Sequence, residues 1–368
     1  MKIERVILSG GGTGGHIFPA LSIANEIRKR NLGAEVLFVG ALGRMEMEKI
    51  PAAGYKIVGL PVMGFPRKPG PKMITFFIRL MKSASMARKV VREFKPQVAI
   101  GVGGFASGPL LRAAARRKIP TLIQEQNSYA GITNKLLSKK VNSICVAYDN
   151  MDRYFPAEKI VFTGNPVREN LMQALPDKKE AFDFFGLKKD EKVILVIGGS
   201  LGARSINNAV MNNLEFIAES GVQVIWQTGA IYYERIQQEI KDKKPENLQV
   251  HQFISRMDLA YAVAGIVISR AGAGTISELC LVGKPAILVP SPNVAEDHQT
   301  KNATALVEKD AAVLIPDAEM NEKLFPKAVQ IISDEKRCTE LSEKIKTLAK
   351  PDATKNIVNE VEKLLVNG

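Results

Sequence analysis

Cysteine is scarce in this chain of 368 residues: Cys145, Cys280 and Cys338 lie far apart and form no C-x-x-C pair. A disulfide framework and a cysteine-built zinc cluster are thereby excluded, and a reducing compartment fits. Long apolar runs are missing too, since none reaches the ~18 residues that a membrane span needs. The N-terminus, Met1-Lys2-Ile3-Glu4-Arg5, leads into the brief apolar segment Val6-Ile7-Leu8 without a cleavage-like site, so no secretory leader is expected. No Asp-x-Asp pair occurs anywhere, which removes the obvious carboxylate clamp for a metal-bound diphosphate. Solenoid-period repeats and low-complexity tracts are likewise absent.

What is present is apolar residues enough for real cores, 46% of the chain, and a length that favours two domains. The net charge is +13, and nearly all of it sits in one block: between Pro61 and Pro120 thirteen Lys/Arg face a single acid, Glu93. Such a block suits nucleic acid, an anionic membrane surface or an anionic substrate. It carries no stacking platform or recognition motif, so no nucleic acid is expected.

Strand-like runs alternate with amphipathic helical runs: Arg5–Leu8, a helix over 18–30, Glu35–Val39, Val98–Ile100, a helix over 107–117 and Thr121–Ile123. The rhythm restarts with strands at Lys192–Ile197, Val222–Gln227, Ile266–Ser269 and Ala286–Val289 and helices over 205–213 and 275–282. This is the pattern of parallel sheets covered by helices. Two series separated by Gly164-Asn165-Pro166 predict an α/β chain of two Rossmann-like, doubly wound domains facing across a cleft. The expected bounds are 1–163 and 164–344, with a closing helix, about 345–368, that either finishes the second domain or packs back on the first.

Three glycine-rich segments each follow a strand and open a helix: Gly10–Gly15, Gly101–Gly108 and Gly198–Gly202. Bare amides at a positive helix end favour a diphosphate there. Gly10, Gly12 and Gly15 satisfy G-x-G-x-x-G, but the second strand ends in Gly40-Ala41-Leu42-Gly43 without the acid that a dinucleotide ribose requires. The third segment lacks the Lys-Ser/Thr of a P-loop, so ATP hydrolysis is not supported. For any one segment, tight strand-to-helix packing is an equal explanation. In Arg270–Glu278, Glu278 lies one turn after Thr275, suited to accept two hydroxyls of a ribose, or else simply to complement the helix dipole.

Read in order, Gly11–Ala20, Arg44-Met45-Glu46, Gly103–Pro109, Glu125-Gln126-Asn127, Gly164–Arg168, Gly199–Arg204 and Arg270–Glu278 resemble the MurG family of glycosyltransferases over essentially the whole chain. The resemblance implies a GT-B fold with an N-terminal acceptor domain and a C-terminal nucleotide-sugar domain. It implies inverting transfer of N-acetylglucosamine from UDP-N-acetylglucosamine to the 4-hydroxyl of the muramyl sugar of lipid I, giving lipid II, with no metal and no cofactor. The implied donor residues are Thr13, Gly14, Gly15, Asn127, Arg168, Ser200, Ile254 through its backbone, Ala273, Gly274, Thr275, Ile276, Ser277, Glu278 and Gln299. Gly12, Gly103, Gly104 and Glu125 are expected on the acceptor. At His298 the chain departs from family members that carry two adjacent glutamines. The implied partners are lipid I, an anionic membrane surface and other cell-wall synthesis proteins, at the cytoplasmic face of the plasma membrane. Another GT-B enzyme using the same donor, such as a 2-epimerase, is the alternative.

An epimerase has no need of a basic, apolar-studded segment, and here Met63, Phe65, Phe76 and Phe77 interleave with Lys68, Lys72, Arg79 and Lys82 as in a protein docking on anionic lipid. An ordinary amphipathic core helix has the same spacing. Of three histidines, His16 ends the first glycine segment, and its ordinary pKa near 6.5 suits a general base at neutral pH. It serves equally as a helix cap; Glu125, or a water on Asn127, is the next candidate.

Overall fold

The computed structural model describes residues 2–66, 70–167, 171, 175–189, 191–199 and 201–367. The chain divides into two compact units, residues 1–168 with 350–368 and residues 169–349, each with its own sheet.

In the first unit the chain runs β1 (Arg5–Ser9), α1 (Gly14–Arg30), β2 (Glu35–Ala41), α2 (Glu46–Ala52), β3 (Lys56–Leu60), α3 (Pro71–Phe94), β4 (Val98–Gly101), α4 (Ser107–Arg116), β5 (Thr121–Glu125), α5 (Ile132–Ser138), β6 (Ser143–Val146) and β7 (Ile160–Phe162). The strands are parallel, in the order β3-β2-β1-β4-β5-β6-β7. Successive residues of β1 enter opposite layers: Val6 and Leu8 pack with Ile17, Ala20, Ile23, Ala24 and Ile27 of α1, and Ile7 packs with Leu110, Ala113 and Ala114 of α4. Coverage on both faces is why β4 and β5 are buried at every position, and why β4 reads as an unbroken apolar run. The helix α3 opens on Pro71 but buries only Ser83, Ala87 and Val91, all in its C-terminal half.

In the second unit follow α6 (Lys178–Phe185), β8 (Val193–Ile197), α7 (Arg204–Asn212), α8 (Leu214–Glu219), β9 (Gln223–Gln227), α9 (Tyr233–Ile240), β10 (Leu248–His251), α10 (Met257–Val263), β11 (Ile266–Ser269), α11 (Ala273–Val282), β12 (Ala286–Leu288), α12 (His298–Val307), β13 (Val313–Leu314), α13 (Met320–Ser333) and α14 (Glu335–Thr347). Its parallel sheet has the order β10-β9-β8-β11-β12-β13. Trp226 and Ile268 are fully buried in its core, where each large apolar side chain contributes about 1.5–3 kcal/mol. Side chains close the helix ends: Asp177 accepts from the Lys179 amide at 2.8 Å and Asp334 from the Arg337 amide at 2.9 Å. The chain ends in α15 (Ala353–Asn367), whose Asn359 and Glu362 accept from Arg30 of α1 at 2.6 and 3.1 Å.

The unit boundaries fall later than the expected 163/164 and 344/345. Thr163 and Gly164 still donate to Val146 O at 3.0 and 3.1 Å, and Asn165 is bonded into the end of β5, so 163–167 remain with the first sheet. The predicted single closing segment is two helices: Ser342 donates to Gly283 O at 2.5 Å and keeps α14 with the second unit, while α15 belongs to the first. Five strands, β3, β6, β7, β10 and β13, join those read from the sequence; all but β6, which lies next to an edge, are edge strands.

Candidate active site

Each strand order reverses once. In the first unit the chain winds outward from β1 on one side and from β4 on the other, and in the second unit from β8 and from β11. A crevice forms at such a switch point beyond the carboxyl ends of the two central strands, the place where open α/β sheets take ligands. The glycine segments after β1 and β4 flank the first switch point; those after β8 and β11 flank the second.

At the first switch point Thr13 is the N-cap of α1, and the amides of His16 and Ile17 both donate to Thr13 O, at 3.1 and 3.2 Å. His16 therefore stands in the first helical turn rather than ending the loop, and Gly14 and Gly15 supply the first-turn amides that no i−4 carbonyl takes. The Gly12 amide is already committed: it donates to Glu46 Oε2 at 2.8 Å, while Glu46 Oε1 accepts from the Ala41 amide at 2.9 Å. Glu46 is 0% exposed, so its carboxylate braces the loop against the end of β2. Any contact of Gly12 with a ligand must run through groups other than its N–H.

The imidazole of His16 lies close against the turn after β4. A Cβ on Gly103 would come within 2.7 Å of the ring, and one on Gly104 within 2.5 Å of Gly11 O; both glycines have positive φ, 99° and 85°. His16 Nδ1 bonds Gln126 Oε1 at 2.8 Å. Beside it Glu125, expected on the acceptor and as a reserve base, is 2% exposed and turned inward. Its Oε1 accepts from the Asn127 amide and from Asn127 Nδ2 at 3.1 and 3.2 Å, and its Oε2 from the Gly131 amide and Asn134 Nδ2 at 3.0 and 2.9 Å. Four donors on two oxygens make Glu125 the organiser of the loop over 126–131, a correction to both expectations.

At the second switch point α11 begins at Ala273 with Gly272 as N-cap, so the amides over 272–275 open toward the crevice. Glu278 is 8% exposed and its Oε2 accepts from the Tyr261 hydroxyl at 3.1 Å. Arg270 is tied down by Val289 O, Pro290 O and Asp317 Oδ1 at 3.0, 3.2 and 2.5 Å and by Ser205 Oγ. Gln227, at the end of β9, accepts from the Ile254 amide at 2.9 Å and donates to Gly199 O at 3.1 Å, joining the Ile254 loop to the glycine loop. The Ile254 N–H is thus used internally. Gln299 Oε1 accepts from the Ser291 amide at 2.9 Å, pinning that side chain at the start of α12.

With this geometry, residues 6–146 match the glycosyltransferase family 28 N-terminal domain and residues 193–357 its C-terminal domain. The UDP-N-acetylglucosamine--N-acetylmuramyl-(pentapeptide) pyrophosphoryl-undecaprenol N-acetylglucosamine transferase of Parabacteroides distasonis is 58% identical over 365 residues, 99% of either chain. This chain belongs to the MurG family. The like-named protein of Christiangramia forsetii is 52% identical, over 99% of this chain and 98% of that one. The crystal structure of Acinetobacter baumannii MurG superposes with a TM-score of 0.79 at 30% identity, covering 98% of this chain and 99% of that one. A UDP-GlcNAc 2-epimerase from Neisseria meningitidis, at 18% identity and TM-score 0.67 over 98% of this chain and all of that one, shares the fold alone. The chain is a glycosyltransferase of the GT-B fold.

For the MurG-family reading, Gly103, Gly104 and His16 come together at the first switch point, and Ala273 to Glu278 at the second. Arg168, Ser200 and Lys68 lie outside the described residues. Sequence reasoning missed Gln126, Glu46, Gln227 and Tyr261 as working residues; the first two stand inside the quoted motifs, which was the available signal. Cys145 and Cys280 are buried, and burial pushes the Cys280 thiol up to about 12 and the Cys145 thiol higher, so neither is a nucleophile. The first half of α3 is no core helix: Ile74, Ile78 and Met81 are 67, 61 and 72% exposed, with Lys72, Arg79 and Lys82 exposed among them. Phe65, 64% exposed, meets Phe76 edge-on at 5.2 Å, and Phe76 meets Phe77 at 5.5 Å; Met63 is half-buried. Among the described residues no helix is long and apolar enough to cross a membrane.

Proposed function

We propose that this chain transfers N-acetylglucosamine from UDP-N-acetylglucosamine to N-acetylmuramyl-(pentapeptide) pyrophosphoryl-undecaprenol, the reaction that makes lipid II. The observation that carries this is the identity of 58% over 99% of both chains with a transferase of that name. The switch-point chemistry supports it. The amides that open α11 suit the UDP diphosphate, Glu278 the ribose hydroxyls, Ile254 O the uracil edge and Gln299 the sugar. Gly14 and Gly15 offer amides to a diphosphate in the first unit.

His16 acts as the general base in this reading. The acceptor 4-hydroxyl attacks the anomeric carbon as its proton passes to His16, and the anomeric C–O bond breaks with its electron pair leaving on UDP, so the configuration inverts. Helix-end amides take up the leaving charge, and no metal enters the step. The apolar, basic face of α3 docks on the anionic cytoplasmic surface of the membrane, where the acceptor lipid resides.

The test is incubation with labelled UDP-N-acetylglucosamine with and without lipid I, in magnesium and in EDTA. Label entering lipid in both lipid I arms is expected. Epimerised sugar without lipid label would overturn the reading, and strict magnesium dependence would overturn its metal-free step. His16→Ala is expected to cut kcat by about 10²–10⁴-fold with UDP affinity unchanged.

A further inference from the structure

We infer that Gln126 is a positioning residue that fixes the tautomer of His16, placing the ring proton on Nδ1 and the lone pair on Nε2. The catalytic meaning of this inference rests on the reading of His16 as base. An amide side chain is ambiguous by itself, because oxygen and nitrogen exchange places on a flip. Here the surroundings decide. Gln126 Nε2 donates to Val102 O at 2.9 Å and Gln124 O at 3.0 Å, and also meets Gln124 Oε1. Backbone carbonyls can only accept, so the NH2 group must face them and Oε1 must face His16.

That orientation is held from a second side. Gln124 Nε2 donates to Asn165 Oδ1 at 2.9 Å, and Asn165 Nδ2 donates to Gln126 O at 2.9 Å. Gln124, Gln126 and Asn165 are 0, 2 and 3% exposed, too deep for water to offer an alternative set of partners. The oxygen presented to His16 Nδ1 at 2.8 Å can only accept, so in the neutral ring Nδ1 carries the proton. Gly103, without a Cβ, lets the ring lie where this bond forms. A general base needs this form, since the alternative tautomer would present N–H where the substrate proton must go.

The wild-type protein tests the lock directly. With 15N-histidine in the full chain, three histidines give resolvable rings, and the His16 signals are those lost in His16→Ala. Protonated Nδ1 and unprotonated Nε2 above the titration range are expected; the reverse would overturn the inference even if Gln126→Met does not fold. In Gln126→Met the ring should populate both tautomers, kcat should fall about tenfold or more with KM for UDP-N-acetylglucosamine unchanged, and the acid limb of the kcat profile should move to lower pH. The limb moves that way because the lost carbonyl stabilises the imidazolium more than the neutral ring. Unmoved limb and unmoved tautomer in Gln126→Met would reduce Gln126 to a packing residue. Adding Gln126→Met to His16→Ala should cost no further kcat. Near-normal kcat in His16→Ala, with the Nδ1 proton in place, would instead sink the base reading and leave the lock standing.

Discussion

Glu46 sits where a single buried carboxylate holds the glycine loop after β1, and its removal has a calculable consequence. Its two oxygens accept from the Gly12 and Ala41 amides at 2.8 and 2.9 Å, with no solvent exposure. A hydrogen bond to a charged group is worth about 1.5–3 kcal/mol, and a buried amide left without its partner costs about 1–3 kcal/mol. Glu46→Gln keeps one accepting oxygen but turns an NH2 group toward the second amide. The predicted loss is therefore about 2–4 kcal/mol, borne by the first unit. For a unit of this size that lowers its transition by roughly 5–15 °C, measurable by scanning calorimetry of the full chain. UDP affinity measured in parallel should hold, since Glu278 and the α11 amides belong to the second unit. A Glu46→Gln protein that melts with the wild type would mean that the two amides find other partners, and the bracing role would be wrong.

Glu278→Ala should weaken UDP binding by about 1–3 kcal/mol, and Tyr261→Phe, which removes the hydroxyl donating to Glu278, by about 0.5–1.5 kcal/mol; unchanged calorimetric affinity in a folded Glu278→Ala protein would remove Glu278 from the site. Changing Lys68, Lys72, Arg79 and Lys82 to Gln should abolish sedimentation with anionic vesicles at about 1 kcal/mol per cation while sparing UDP binding, and equal sedimentation of both proteins would refute membrane docking through α3. Burial, helped by the charge of Lys178, pulls the Lys284 ammonium down to about 8 from an ordinary 10.5. The unfolded chain then holds a proton that the folded chain has released, so stability rises with pH between about 8 and 10.5 and is lost as pH falls back through that window. The full swing is about 3 kcal/mol, urea midpoints should show it, and Lys284→Met should flatten the slope relative to wild type; parallel slopes would refute it.

The sequence by itself determined the two parallel sheets, because strands covered on both faces must be continuously apolar, as Val193–Ile197 and Val98–Gly101 are. It marked the loops too, since a glycine segment weakens helix and strand alike and so interrupts both patterns, and the ordered series of motifs marked the family. Short strands at or near the sheet edges were less legible: β13 has two residues and β7 three, too few for any periodicity to register. Nor did the pattern of residues 73–82 tell a core helix from an exposed one, because apolar spacing is the same whether or not a partner covers it. Only the tertiary structure decided which polar side chains work together. Glu46 bonds an amide 34 positions away, Ile254 bonds Gln227 across 27, and His16 meets Gln126 across 110. Such pairs carry no local signal, since a hydrogen bond is set by a few tenths of an ångström that the whole sheet must deliver. Glu125 shows the same limit from the other side: as a residue type it suits a base, and only its four donors reveal that its charge is already spent on the loop.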